Sequence, residues 1–248
     1  MSNNGGPINT FSGCQRLNKS FLSRYERIVV DWFVARMPTC VTPDRLTAIG
    51  LFGALVTCVS YGLCVFSDQF LWLASAGLVM HWFGDSLDGS LARFRGIDRP
   101  RYGFFIDQNI DVFGNLLIVG GMAASPYIRL ESAVLALFGY QALTIYVLVR
   151  LNIDGVFRVS VVNSGPTEMR MLIILMNVLI LNFGAPEWIL FGFSFAWCDI
   201  TVGLFGLGML CAFAYLILVE ASHLRREDEL AGSGSRETDA LSDEAEAA

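Results

Sequence analysis

Residues 46–66 read LTAIGLFGALVTCVSYGLCVF, 21 residues without one charged side chain. A helix rises about 1.5 Å per residue, so ~20 such residues cross the ~30 Å hydrocarbon core of a bilayer. That core offers no water to an exposed backbone, so a spanning segment must satisfy its amides internally as a helix. Working outward, comparable stretches recur at about 70–93, 103–125, 131–150, 169–186 and 199–220, and the last contains the uncharged run Ile200–Val219. The sequence predicts an all-α polytopic membrane protein with six transmembrane helices. The shorter apolar run PEWILFGFSFAW (186–197) is expected to be an interfacial connector, a re-entrant segment being the lesser option.

The composition agrees. Of 248 residues, 54% are apolar and 16% charged, with a mean hydropathy of +0.53; a soluble domain carries roughly 25% charged residues. This excludes a disordered protein, a basic nucleic-acid-binding domain and an ordinary cytosolic enzyme. The net charge of −6 is local in origin: residues 227–248 hold eight acids against Arg236, or −7, so the remaining chain sums to +1. Residues 223–248 are expected to be a disordered acidic tail and residues 1–16 a disordered N-terminus. The first 16 residues have no apolar core of the kind a cleaved signal peptide needs. Six cysteines show no CxxC pattern and read mostly as small buried hydrophobes.

Positive charge sets the expected orientation. Arg16 and five further Lys or Arg residues precede the first span, Arg93, Arg95, Arg99 and Arg101 mark the second-to-third connection, and Arg150, Arg158 and Arg170 bracket the fourth-to-fifth. Arg225, Arg226 and Arg236 follow the sixth span, and only Arg129 falls in an odd-numbered connection. The positive-inside rule places both termini and the even-numbered loops in the cytoplasm. Upstream, Leu17, Phe21, Tyr25, Ile28, Val29, Trp32 and Phe33 recur at helical spacing. Residues 17–39 therefore predict an amphipathic helix lying in the cytoplasmic interface, ahead of a membrane domain over 40–222.

Charge inside a membrane is costly, so intramembrane carboxylates are functional candidates. Two neighbouring spans carry four: Asp85 and Asp88, then Asp107 and Asp111. Spacings of three and four put each pair on one helix face. Asp88 lies about 7 Å in from Arg93, and Asp107 about 6 Å in from Gly103, so the depths match. The short connection predicts two helices packed side by side with all four carboxylates converging. Such a cluster repels itself, and the hard cations Mg²⁺ and Mn²⁺, which prefer carboxylate oxygens, relieve it. Gly84, Gly89, Ala92 and Gly103 keep bulk away from the carboxylates, and Arg93 can pair with phosphate oxygens. Neither a Walker pattern nor a Rossmann glycine fingerprint competes with this reading.

These residues resemble the CDP-alcohol phosphotransferase family, whose signature is D-x2-D-G-x2-A-R followed by G-x3-D-x3-D. Here it runs Asp85-Ser-Leu-Asp88-Gly89-Ser-Leu-Ala92-Arg93, a gap of nine, then Gly103-Phe-Phe-Ile-Asp107-Gln-Asn-Ile-Asp111. The gap is one residue longer than the commonest form. The resemblance covers about residues 17–222. It implies transfer of a phosphoalcohol group from a CDP-linked donor to an acceptor alcohol, with release of CMP. It implies that Asp85, Asp88 and Asp107 hold two divalent ions, Mg²⁺ or Mn²⁺, with Asp111 sharing them and acting as general base. Gly89, Ala92, Arg93 and Gly103 would contact the CDP moiety. The upstream segment Thr42-Pro43-Asp44-Arg45-Leu46-Thr47 looks like the family's Pro-Asn-x-x-Thr, so Asp44 and Thr47 join the CDP site. Asp in place of Asn at 44 removes an amide donor. Homodimers are common in the family.

His81, four residues before Asp85, reads as a packed histidine, and His223 as a solvated interfacial one. Glu168 and Arg170 at the start of the fifth span, with Arg150 and Arg158, are candidates for the acceptor site. A helix start with Pro166 and Glu168 in its first turn accounts for the former pair equally well, as membrane-boundary charge does for the latter. Two donor arrangements remain open: CDP-diacylglycerol with a small polar acceptor, which is favoured, or a CDP-amino alcohol with diacylglycerol. Gln108 stands where amino-alcohol enzymes commonly carry His, which favours the first. In another class, the same carboxylates would serve a cation or proton transporter. That reading gives Gly89, Ala92, Arg93 and Gly103 no reason for their fixed offsets.

Overall fold

Thr42 sets the start of the first long helix: its hydroxyl accepts from the Arg45 amide at 3.3 Å, and Pro43 occupies the first turn. The computed structural model of the chain describes residues 16–17, 23–154, 157–158, 165–190 and 193–246, with side chains described over 25–153, 165–189 and 194–227 and at Glu229. Among them run α1 (Ser23–Arg36), α2 (Pro43–Leu63), α3 (Phe70–Phe94), α4 (Pro100–Ala124), α5 (Leu130–Asp154), α6 (Pro166–Phe183) and α7 (Trp197–Glu246). Two short strand pairs are interposed. β1 (Arg16–Leu17) pairs in parallel with β2 (Phe157–Arg158), and β3 (Glu187–Leu190) is antiparallel to β4 (Phe193–Ala196).

Helices α2 to α7 each coincide with one expected span, so the all-α membrane architecture holds. Four of them, α2, α5, α6 and the first part of α7 (Trp197–Glu227), are long and apolar enough to cross a membrane. α3 and α4, at 25 residues each, have the length. They also carry Asp85, Asp88, Asp107 and Asp111 with His81, Gln108, Asn109 and Asn115, which lowers their hydropathy.

α2 is the hub. α3 crosses it where glycines face each other: a Cβ on Gly53 would lie 2.5 Å from the His81 amide nitrogen, and one on Gly84 would enter the Gly50 backbone. Small residues at such a crossing let two backbones approach closely enough for dispersion to hold them. α4 packs on another part of α2, with Gly121 against the Cys58 backbone. The main core gathers Ala54, Tyr61, Leu71, Leu78, Ile118, Met122, Met176 and Ile180 from α2, α3, α4 and α6. A buried polar chain crosses it: Tyr61 Oη donates to Asn177 Oδ1 at 2.7 Å, and Asn177 Nδ2 donates to Ser75 Oγ at 3.1 Å. α5 and α7 pair separately.

Four expectations change. First, α3 and α4 do not pack along their lengths; each lies on α2, and they approach each other through side chains such as His81 against Gly114. Second, the run 186–197 holds the β3–β4 hairpin, with Trp188 and Ile189 exposed. Antiparallel pairing lets an apolar segment too short to span satisfy backbone groups within its own ribbon. Third, α1 is apolar on two sides. Val30 and Val34 bury against Leu46, Leu87 and Leu91, while Tyr25, Ile28, Val29 and Trp32 face outward. Fourth, α7 continues as helix to Glu246 through the acidic segment, where composition suggests no fixed structure. Helix extension from an existing end avoids the nucleation cost, and Leu, Ala and Glu favour it, against the opposing preference of Gly232 and Gly234. Residues 1–15 lie outside the described ones.

Candidate active site

The second-to-third connection reverses the chain at Gly96, whose φ of 65° suits a residue without a Cβ. Arg95 ties this turn to the α1–α2 linker, donating to the carbonyls of Met37, Pro38 and Val41. α4 then starts at Pro100, so the C-terminal turns of α3 and the N-terminal turns of α4 share one end of the molecule with the start of α2.

At that end Asp85, Asp107 and Asp111 converge: one carboxylate oxygen from each lies within 4.8 Å of the other two. Because α3 and α4 are separated on α2, the three side chains project into the space between the helices. Arg170, the fifth residue of α6, reaches the cluster and donates Nη2 to Asp85 Oδ2 at 2.6 Å; its side chain is 9% exposed. Tyr140 of α5 lies close to Asn115, Asp111 and Arg170. Asp88 stands just outside this trio. Its Oδ2 accepts from Thr47 Oγ1 at 2.6 Å, and its Oδ1 accepts from the Gly89 amide. An all-oxygen donor set carrying more negative charge than Arg170 offsets is the chemistry that Mg²⁺ or Mn²⁺ prefers, so the residues fit a divalent ion.

Residues 40–218 match the profile of CDP-alcohol phosphatidyltransferase. The chain belongs to the CDP-alcohol phosphatidyltransferase family. A phosphatidylinositol phosphate synthase of Cutibacterium acnes is 37% identical over 83 residues, covering 34% of this chain and 38% of the relative. An archaetidylinositol phosphate synthase of Pyrococcus horikoshii is 33% identical over 99 residues, covering 40% of this chain and 50% of the relative. The aligned segments thus span half or less of each relative.

The other residues singled out in the sequence lie in α2, α3 and α4 at this end of the molecule. Gly89 lies under the Arg93 guanidinium, whose Nη1 is 3.2 Å from where a Cβ would be, and Arg93 donates to Ser90 Oγ at 3.2 Å. Ala92 is half-buried on the next turn, and Gly103 is exposed with open space beside it. Thr47 reaches Asp88, as noted. Asp44 takes both its oxygens to Arg99, at 2.6 and 2.9 Å, and this hydrogen bond holds the Arg99 guanidinium above its ordinary pKa. The exchange of Asn for Asp at 44 is thereby matched by a cation in the adjoining loop.

The candidate acceptor residues divide. Arg170 belongs to the carboxylate cluster through Asp85. Glu168 accepts from the Gly165 amide at 2.9 Å, the helix-start role that its position suggests. Arg150 forms a largely buried ion pair with Glu220 of α7, and Tyr146 donates to the same carboxylate at 3.3 Å. The Arg158 side chain lies outside the described ones. His81 is 2% exposed and packs against Gly114, with no hydrogen bond to Nδ1 among the described residues. His223 is exposed beside Glu227 at 3.5 Å.

Two features escaped the sequence reading. Asn115 sits four residues after Asp111, on the same face, so helical spacing contained that signal. Glu26 of α1 contacts α3 and α6 through hydrogen bonds from Trp82, Ser86 and Thr167. No local pattern sets it apart from the other charges of α1.

Proposed function

We propose that this chain is an integral-membrane phosphotransferase of phospholipid synthesis that moves a phosphatidyl group from CDP-diacylglycerol to the hydroxyl of a small polar acceptor. The observation that carries the reading is the convergence of Asp85, Asp107 and Asp111 within 4.8 Å beside the Gly89–Arg93 turn. In the reaction the acceptor oxygen bonds to the phosphorus that carries diacylglycerol, the diphosphate bridge breaks, and CMP leaves with the bridging oxygen.

Asp85, Asp107 and Asp111, with Asp88 one turn away, would hold the divalent ions. Bound there, the ions neutralise the diphosphate and stabilise the charge that develops on CMP. Asp111 takes the acceptor proton as the new bond forms. Arg170 fixes Asp85 and balances part of the cluster's charge. Gly89, Ala92 and Gly103 admit the nucleotide close to the backbone, with Asp44 and Thr47 at its edge and Arg93 at the mouth.

Six spans, with both termini and the site's mouth on the cytoplasmic side, meet the substrate's needs. CDP enters from water while the acyl chains stay in lipid between helices. The outward apolar face of α1 lies in the same interface. Both relatives' names specify an inositol phosphate lipid as product, so an inositol phosphate is the first acceptor to try. The test pairs CDP-diacylglycerol, and separately CDP-amino alcohols with diacylglycerol, with a set of acceptors in nanodiscs. The lipid product is identified by mass spectrometry. CMP and a new phosphatidyl lipid from CDP-diacylglycerol support the reading; product only from the CDP-amino alcohols reverses donor and acceptor.

A further inference from the structure

Glu26 is an acid that the carboxylate cluster leaves unused. It is half-buried on the bundle side of α1. Its Oε1 accepts from Trp82 Nε1 at 3.0 Å, Ser86 Oγ at 2.8 Å and Thr167 Oγ1 at 2.9 Å. Trp82 and Ser86 are one turn apart on α3, and Ser86 adjoins Asp85. Thr167 lies in the first turn of α6, three residues before Arg170 and so on nearly the same face. Desolvating a carboxylate is costly, and three converging donors offset that cost only while α1, α3 and α6 keep their relative positions.

We propose that Glu26 is a positioning residue for the phosphotransfer site: it pins the first turn of α6 to α3 and so holds the Arg170 guanidinium on Asp85. The inference rests on the reading of Asp85 as a metal ligand given above. α1 is a firm base for such a pin, since Val30 and Val34 bury against Leu46, Leu87 and Leu91. The other described side-chain hydrogen bond from α6 to α3, Asn177 to Ser75, lies two turns deeper. The site end of α6 is thus fixed by Arg170 on Asp85 and by Thr167 on Glu26. Without the second, the first is free to slip.

The consequence has a distinctive sign. With the guanidinium displaced, less positive charge opposes a cation on Asp85, so metal binds more tightly, while the loss of the fixed Arg170–Asp85 geometry lowers turnover. General loosening of the bundle would weaken both. The experiment uses the full chain in nanodiscs. Melting temperature is followed against Mg²⁺ concentration, and CMP release is measured at saturating donor, for Glu26→Ala, Thr167→Val and Glu26→Gln. Glu26→Ala and Thr167→Val lower the half-saturating Mg²⁺ by about threefold or more, because a positive charge has moved away from the bound cation, and both reduce kcat. Glu26→Gln, whose carbonyl still accepts, stays within about twofold of the parent, since the geometry and not the charge of Glu26 is what positions α6. An unchanged or raised Mg²⁺ half-point in both truncating variants overturns the proposal. So does a Glu26→Gln protein as impaired as Glu26→Ala. If Glu26→Ala fails to fold, Thr167→Val decides alone, because it removes one bond from the other side. A parent protein that is stabilised by Mg²⁺ yet releases no CMP removes the phosphotransferase reading, and the melting series still judges Glu26.

Discussion

Replacing Arg170 by Met keeps the aliphatic volume and removes the guanidinium bonded to Asp85. The pair is 2.6 Å long, with side chains 9% and 22% exposed, so most of it is out of water. Breaking a buried ion pair by removing one partner costs about 3–5 kcal/mol, and the partial exposure of Asp85 puts the expected loss near ~3 kcal/mol. If a divalent ion were held by the same oxygen, Asp85 Oδ2, the ion pair plus a metal–oxygen length of ~2.1 Å would put it about 5 Å from Nη2. Even at the dielectric of water, charges at that distance repel by about 0.8 kcal/mol per unit, or ~1.7 kcal/mol for a divalent ion. Arg170→Met therefore lowers the half-saturating Mg²⁺ by roughly 15-fold, at about 1.4 kcal/mol per decade. The assay is the melting temperature of the nanodisc-embedded protein in EDTA and through a Mg²⁺ titration. The variant loses more stability in EDTA than in saturating Mg²⁺, and CMP release falls because Asp85 is no longer fixed. An equal loss under both conditions, or a Mg²⁺ half-point that does not fall, refutes the electrostatic role given to Arg170.

Asp111→Asn keeps the shape of the side chain and removes the proton acceptor; turnover falls by about 10²–10⁴-fold, measured as CMP release, while CDP-diacylglycerol still binds. Gly53→Ala forces a Cβ to 2.5 Å from the His81 amide nitrogen and costs about 1–3 kcal/mol in thermal or denaturant unfolding. Gly62→Ala on the same helix, with nothing within 4 Å of the added Cβ, is neutral or stabilising. Equal effects at the two glycines would remove the close α2–α3 crossing. Asp44→Ala raises the KM for the CDP-linked donor more than it lowers kcat and leaves the melting temperature unchanged. A donor KM equal to the parent's would take Asp44 out of the nucleotide contact.

The spans were legible because an apolar run of this length has few alternatives in water, and the second-to-third connection was legible because Arg93, Arg95, Arg99 and Arg101 interrupt the apolar sequence. The cluster was legible too, since aspartates at spacings of three and four inside apolar helices have little reason to be there except chemistry. What the sequence did not contain was the third dimension of the packing. Side-by-side packing of α3 with α4 followed from loop length, yet the glycines Gly50, Gly53, Gly77 and Gly84 make α2 the better partner for α3. The place of Arg170 on Asp85, across 85 positions of chain, is invisible to any local pattern. Glu26 is hidden for the same reason: its donors come from two helices that meet only in the fold. Arg150 looked free to hold an acceptor phosphate because Glu220, its partner, is 70 residues away. The β3–β4 hairpin was missed because PEWILFGFSFAW is apolar at nearly every position and gives no alternation to read.

In the proposed reaction, Asp85, Asp107 and Asp111 between α3 and α4 support a cation-dependent transfer from a CDP-linked lipid. One measurement meets it most directly: CMP release from CDP-diacylglycerol with inositol phosphate as acceptor, by the parent and by Asp111→Asn, in EDTA and in Mg²⁺ or Mn²⁺. CMP is expected in step with a new phosphatidyl lipid, only with the metal and only from the parent. Release of CMP in EDTA, undiminished release by Asp111→Asn, or metal flux across the bilayer with no CMP from any donor and acceptor would contradict it.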